Sequence, residues 1–187
     1  MNKRRILILA IVVMLAAILA TGTAAYFTAE DKAHTVVASG NVKIAVNEWA
    51  DLEKTKEFEA GSTKKIIPGQ EVVKVVEVEN IGSSEAWVRV KADVAIQMKD
   101  DSAKLDTGLI HLDIDTENWT EKDGWYYYKT ALKAGETCKP LFTKVSFDSG
   151  IDSAYSGCTM TVSIQAHAVQ TANNGASVLE AKGWPAE

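Results

Sequence analysis

Histidine is scarce in this chain, and catalytic spacing is scarcer. Of 187 residues only three are histidine, His34, His111 and His167. None stands in the Cys–His or Ser–His arrangements that activate a nucleophile. There is no His-Glu-x-x-His pair, the helical signature of zinc proteases, and no glycine-rich phosphate loop. Basic residues are outnumbered, 20 Lys and Arg against 25 Asp and Glu, for a formal net charge of −5. Nucleic acid selects basic surfaces, so that class of partner is excluded. The acidic balance favours solubility and says little about fold. No internal repeat and no second domain is visible.

What is present begins with a targeting signal. Asn2-Lys3-Arg4-Arg5 is basic, Ile6 to Ala20 is an uncharged apolar run, and Thr21-Gly22-Thr23-Ala24-Ala25 is a stretch of small residues. That order reads as a secretory signal peptide over 1–25, with Thr23 and Ala25 at the recognition positions and Tyr26 the first mature residue. The competing reading is an uncleaved anchor, because apolar character runs on to Phe27 and about 18 such residues can span a bilayer. Cleavage removes Lys3, Arg4 and Arg5 and no acid. The 20 basic residues become 17 against 25 acids, a charge of −8 over 162 residues. That length suits one domain with its own core.

The strongest structural signal lies between Pro68 and Met98. From Ala86 onward Val88, Val90, Ala92, Val94, Ile96 and Met98 alternate with Arg89, Lys91, Asp93 and Gln97. Period two predicts a long strand with one buried and one wet face. A Val-rich strand over Glu71 to Glu79 precedes it, opened by the Pro68-Gly69 turn. Asn80-Ile81-Gly82-Ser83-Ser84 predicts a short loop closing the two into an antiparallel pair. So clean a one-sided pattern needs a second sheet to cover it, which predicts an all-β antiparallel sandwich. Further strands are predicted over Asn41 to Asn47, Leu109 to Ile114, Trp125 to Tyr128 after the Asp123-Gly124 turn, and Cys138 to Phe147 with Pro140 at an edge or bulge. The second clean amphipathic strand runs from Cys158 to Ala168. Residues 48–64 read as a charged surface excursion. Residues 171–187 read as a tail with a short helix, whose Val178, Leu179 and Trp184 dock on the sandwich.

The order of motifs resembles one family. Gly22-Thr23-Ala24-Ala25-Tyr26-Phe27, then Ala38-Ser39-Gly40-Asn41-Val42-Lys43-Ile44, is similar to the start of TasA/camelysin-family proteins. Pro68-Gly69-Gln70, Glu79-Asn80-Ile81-Gly82-Ser83 and the closing stretch Ile164 to Gln170 follow in the family's order. The resemblance covers both ends and the centre, not residues 99–155. It implies export from a Gram-positive bacterium by a dedicated signal peptidase, a jelly-roll-like sandwich over 41–170, and self-assembly into matrix fibres. It also implies that residues 26–40 act as a donor segment entering the next subunit. Tyr26, Phe27, Val36 and Val37 are its apolar residues, around a charged Glu30-Asp31-Lys32 middle. The membrane is then met only through the signal segment.

Two cysteines in an exported chain predict one disulfide, Cys138–Cys158, with stabilisation on the order of 3 kcal/mol. The alternative is two thiols, one per strand. Camelysin-type relatives have been classed as metallopeptidases, so metal ligands were sought. His111, Asp113 and Asp115 share a face if extended, and Asp148 and Asp152 offer oxygens. Neither set has the spacing of a metal site, and solvated faces or turn caps explain them. No cofactor is expected. The expected function is a structural one, a subunit of a secreted biofilm-matrix or surface fibre, with no catalytic residue. The alternatives are an envelope metallopeptidase, or a monomeric adhesin that stacks carbohydrate on Trp125 to Tyr128. Sheet packing is the simpler use of those aromatics.

Overall fold

The computed structural model describes residues 37–39, 41–59, 64–97, 106–155 and 157–185, all within the compact unit Ala33–Glu187. The signal peptide, Thr23, Ala25, Tyr26, Phe27 and Val36 lie outside the described residues.

Two five-stranded antiparallel sheets form the protein, as the alternation predicts. One has the order β1-β2-β4-β9-β6, from β1 (Val37–Ser39), β2 (Val42–Trp49), β4 (Glu71–Asn80), β9 (Phe142–Phe147) and β6 (Ile110–Leu112). The other has the order β3-β10-β5-β8-β7, from β3 (Lys64–Lys65), β10 (Thr159–Gln170), β5 (Ala86–Gln97), β8 (Trp125–Tyr128) and β7 (Trp119–Lys122). The core lies between them. Ile44, Val46, Val76, Val78 and Phe142 of the first sheet meet Val88, Val90, Met160 and Ala166 of the second in one cluster.

β4 and β5 do not form the expected hairpin. Each pairs with other strands, β4 with β2 and β9, β5 with β10 and β8. The connection is an arch from one sheet to the other. Both strands are apolar on one face, and facing each other across the core buries both stripes, which in-sheet pairing would leave uncovered. Asn80 pins the arch. Its side chain is fully buried, donates to the Ser84 and Leu132 carbonyls at 2.8 Å each, and accepts the Gly82 N–H at 3.0 Å. Gly82 fits because a Cβ there would sit 2.6 Å from the Asn41 carbonyl oxygen.

Both turn signals hold. Gly69 takes a positive φ of 70°, and Gln70 N–H bonds to Ile67 O. Asp123 and Gly124 have φ of 54° and 77° between β7 and β8, the primed-turn geometry that matches strand twist.

The tail corrects the expected helix. Its described part is a chain of turns. Asn173 and Gly175 take left-handed φ values, and the Asn174 side chain bonds both the N–H and the carbonyl of Lys182, which folds the segment into a loop. Val178 docks as expected and Trp184 packs beside it, but Leu179 is 45% exposed and Ala181 takes the buried place.

The excursion after β2 folds back as a cover. Phe58 N–H bonds to Glu48 O at 2.8 Å and Ala50 N–H to Lys56 O. Beneath it Lys74, 3% exposed, pairs with Glu48 at 2.8 Å and lies 3.9 Å from the centre of the Phe58 ring. Burial pushes the Lys74 amine below the ordinary lysine range, and Glu48 pulls it back.

Candidate functional site

Along the outer side of β10, in the second sheet, strand pairing is sparse among the described residues. β10 pairs with β5 along its whole length, Thr159 with Gln97 through Gln170 with Ala86. Its other side pairs with β3 only at Thr159 and Met160. Among the described residues, Thr161 to Gln165 have no strand partner on that side. The carbonyl of Cys158 accepts the Ile66 N–H across this edge at 3.4 Å. By strand alternation the backbone groups of Val162 and Ile164 point the same way, outward. Their side chains are half-buried and pack against the core. An apolar strand with outward backbone donors and acceptors is a template for another strand.

Beyond β3 the same end of the sandwich holds an open cavity of about 430 Å³ lined by Ile66, Ile67, Pro68, Ile151 and Tyr155, with Lys65 and Asp152 also in its wall. Val37, the last apolar residue of the expected donor segment, belongs to β1 and pairs with Ile44 within its own sheet.

The cysteines are not bonded to each other, which corrects the expected disulfide. Cys138 lies beside the arch, where its Sγ accepts the Val78 N–H at 3.0 Å. Cys158 precedes β10 and stands level with Gln97 at the far end of β5. The twelve residues of β5 separate those ends, roughly 36 Å at about 3.3 Å per residue. A disulfide needs Cα atoms within about 7 Å. Burial pushes the Cys138 thiol up to about 12, against the Val78 N–H, which pulls it down. Reduction is therefore expected to leave the mass unchanged, with both thiols alkylated only as fast as the fold opens; a gain of two hydrogens would restore the disulfide. The unfolded thiol loses its proton near pH 8.5, so the contribution of Cys138 to stability is intact below that pH and falls away as pH climbs toward 12.

The suggested metal ligands serve local structure. Asp113 accepts from the backbone N–H groups of Thr143 and Lys144 and from the Thr143 hydroxyl. Asp115 caps a turn through Glu117 and Asn118, and the Asn118 amide holds its carboxyl below the usual range. His111 faces Asp148, at 3.9 Å, rather than either. Asp148 in turn accepts the Gly150 N–H. Among the described residues no group of three such side chains converges on a metal position.

The aromatic run is used in packing. Tyr128 stacks with Trp119 at 5.0 Å, while Trp125 and Tyr127 lie on the outer face of the second sheet in a smaller cluster with Trp87, Val169 and Val178. Arg89 and His167 join that face, a grouping sequence reasoning missed. The available signal was an arginine and a histidine both at outward positions of the two long strands.

No protein-family model, curated protein or solved structure matches this chain.

Proposed function

We propose that this chain is an exported structural subunit of a matrix or surface fibre, similar to the TasA/camelysin family in its order of motifs, and that it polymerises by strand addition. One observation carries the reading: the outer side of β10 from Thr161 to Gln165 has no strand partner among the described residues, and its Val162 and Ile164 side chains are only partly buried. A strand supplied by a second copy satisfies those backbone groups and covers Val162 and Ile164. The donor is the N-terminal segment that signal-peptidase cleavage after Ala25 would leave at the start of the mature chain. Its apolar Tyr26 and Phe27 lie ahead of the charged residues Glu30, Asp31 and Lys32. A head-to-tail contact of this kind does not close on itself, so it propagates. The same reading takes the sandwich, with its arch between sheets, as jelly-roll-like.

Because Val37–Ser39 already pair with β2, the donor is residues 26–36. Their deletion is expected to leave a soluble monomer with the circular dichroism of the parent and no fibres by negative-stain microscopy. A free peptide of the same sequence is expected to cap growing fibres of the parent. Fibres of unchanged appearance from the deleted chain would end the donor-strand reading.

A further inference from the structure

We propose that the end of the C-terminal tail, Gly183 to Pro185, is a strap whose docking is set by the protonation of His167. This inference does not depend on fibre formation.

The strap is held through Arg89. The guanidinium carbon lies 4.0 Å from the centre of the Trp125 ring and 4.9 Å from that of Trp184. Nη2 of Arg89 donates to the Pro185 carbonyl at 3.2 Å. Nε and Nη2 also reach Nδ1 of His167, at 3.3 and 3.0 Å. Trp184 in turn meets Tyr127 edge-on at 5.8 Å.

An arginine can only donate, and it stays charged at every accessible pH. Nδ1 of His167 must therefore accept, so the ring hydrogen of the docked form is on Nε2. There the Gln165 amide lies at 3.1 Å and, turned to present its oxygen, accepts it. The imidazole is 3% exposed, with the Trp125 ring 4.6 Å away. Two cations from β5 lie on this face, Arg89 and Lys91, the Lys91 amine 5.9 Å from the Trp125 ring. A second proton, on Nδ1, would set N–H against N–H and one cation against another in a buried place. Arg89 would have to turn away, and its bond to Pro185 and its stack on Trp184 would go with it. The earlier part of the tail has its own anchors, the Trp87 indole on the Asn174 carbonyl and buried Val178, so release is confined to the end.

The sign follows. An undocked imidazole takes up its proton near pH 6.5. The docked one does so only by giving up Arg89. Docking is complete above about pH 6.5 and weakens as pH falls, approaching tenfold per pH unit.

Hydrogen–deuterium exchange of the full-length chain at pH 7.5 and pH 5.0, corrected for intrinsic exchange rate, tests this. Protection of the segment ending at Pro185 is expected to drop about tenfold or more at the lower pH, while β5 and β10 stay protected. His167→Gln keeps an acceptor for Arg89 but takes no proton, so its strap is expected to stay protected at both pH values. Equal strap protection at both pH values in the parent, or the same loss in the variant, would overturn the proposal. The nitrogen NMR spectrum of the parent at pH 7.5 gives a reading that needs no variant. The Nε2–H form supports the latch, and the Nδ1–H form refutes it.

Discussion

A chain carrying Val162→Pro is expected to remain a folded monomer under conditions in which the parent polymerises. On the strand-addition reading, the growing fibre needs the outward backbone groups of β10. The Cys158 carbonyl bonds toward β3, so the N–H groups of Val162 and Ile164 point outward and those of Thr161 and Ser163 point to β5. Proline at 162 removes an outward N–H and keeps an apolar side chain, the arrangement in which a strand edge tolerates it. Proline at 161 instead removes a bond to β5, opposite Ala95, and is expected to cost about 3 kcal/mol or more. Neighbouring substitutions should thus separate: Val162→Pro loses fibres and keeps its cooperative melt, and Thr161→Pro loses the melt itself. Light scattering with thermal circular dichroism reads both. Fibres from Val162→Pro at the parent's rate would mean that this edge is not the acceptor.

Asn80→Ala is expected to destabilise the protein by about 3 kcal/mol, since three hydrogen bonds of its buried side chain, to Gly82, Ser84 and Leu132, are lost at roughly 1 kcal/mol each and their partners are left unsatisfied. For a unit of this size that lowers Tm by about 6–12 °C. Asn80→Asp is expected to be worse at neutral pH. It keeps the acceptor for Gly82 but turns an oxygen toward the carbonyls of Ser84 and Leu132. A melt of the alanine variant within about 2 °C of the parent, well inside the expected shift, would show that the arch does not depend on this side chain.

The arch also marks the limit of what the residues reveal on their own. Alternation in Ala86 to Gln97 and in Cys158 to Ala168 tells which side of each strand meets the core, as Val88, Val90, Met160, Ala166 and Ala168 do, although Trp87 and His167 on the other side are buried as well. It does not tell which strand lies alongside. A loop of turn-forming residues serves a hairpin and an arch equally well, and the choice is made by partners far along the chain. The disulfide failed for the same reason: two strand starts say nothing about which end of the sandwich each occupies. Pro68-Gly69 and Asp123-Gly124 were legible because turn chemistry is local. The covers were not. Phe58 over Lys74 and the tail over Trp125 turn nominally wet faces into partly buried ones. That Thr161 to Gln165 lack an outer strand partner among the described residues has no sequence signature, since an edge is defined by what does not pair with it.

The pairing of β5 with β10 has a consequence for how the protein is made. Gln97 must find Thr159 and Ala86 must find Gln170, so the longest ladder among the described residues joins strands far apart in the chain. Sandwiches dominated by such distant pairings are slow to fold, because loop closure costs entropy before any contact repays it. β10 is also the last of the described strands to leave the ribosome. Until then the valines of β5 have no permanent neighbour on that side, and a chain stopped short of residue 159 never gains one. Completion of the second sheet therefore waits on β10, after every other described strand has been made. In the meantime the nascent protein carries its stickiest strand uncovered.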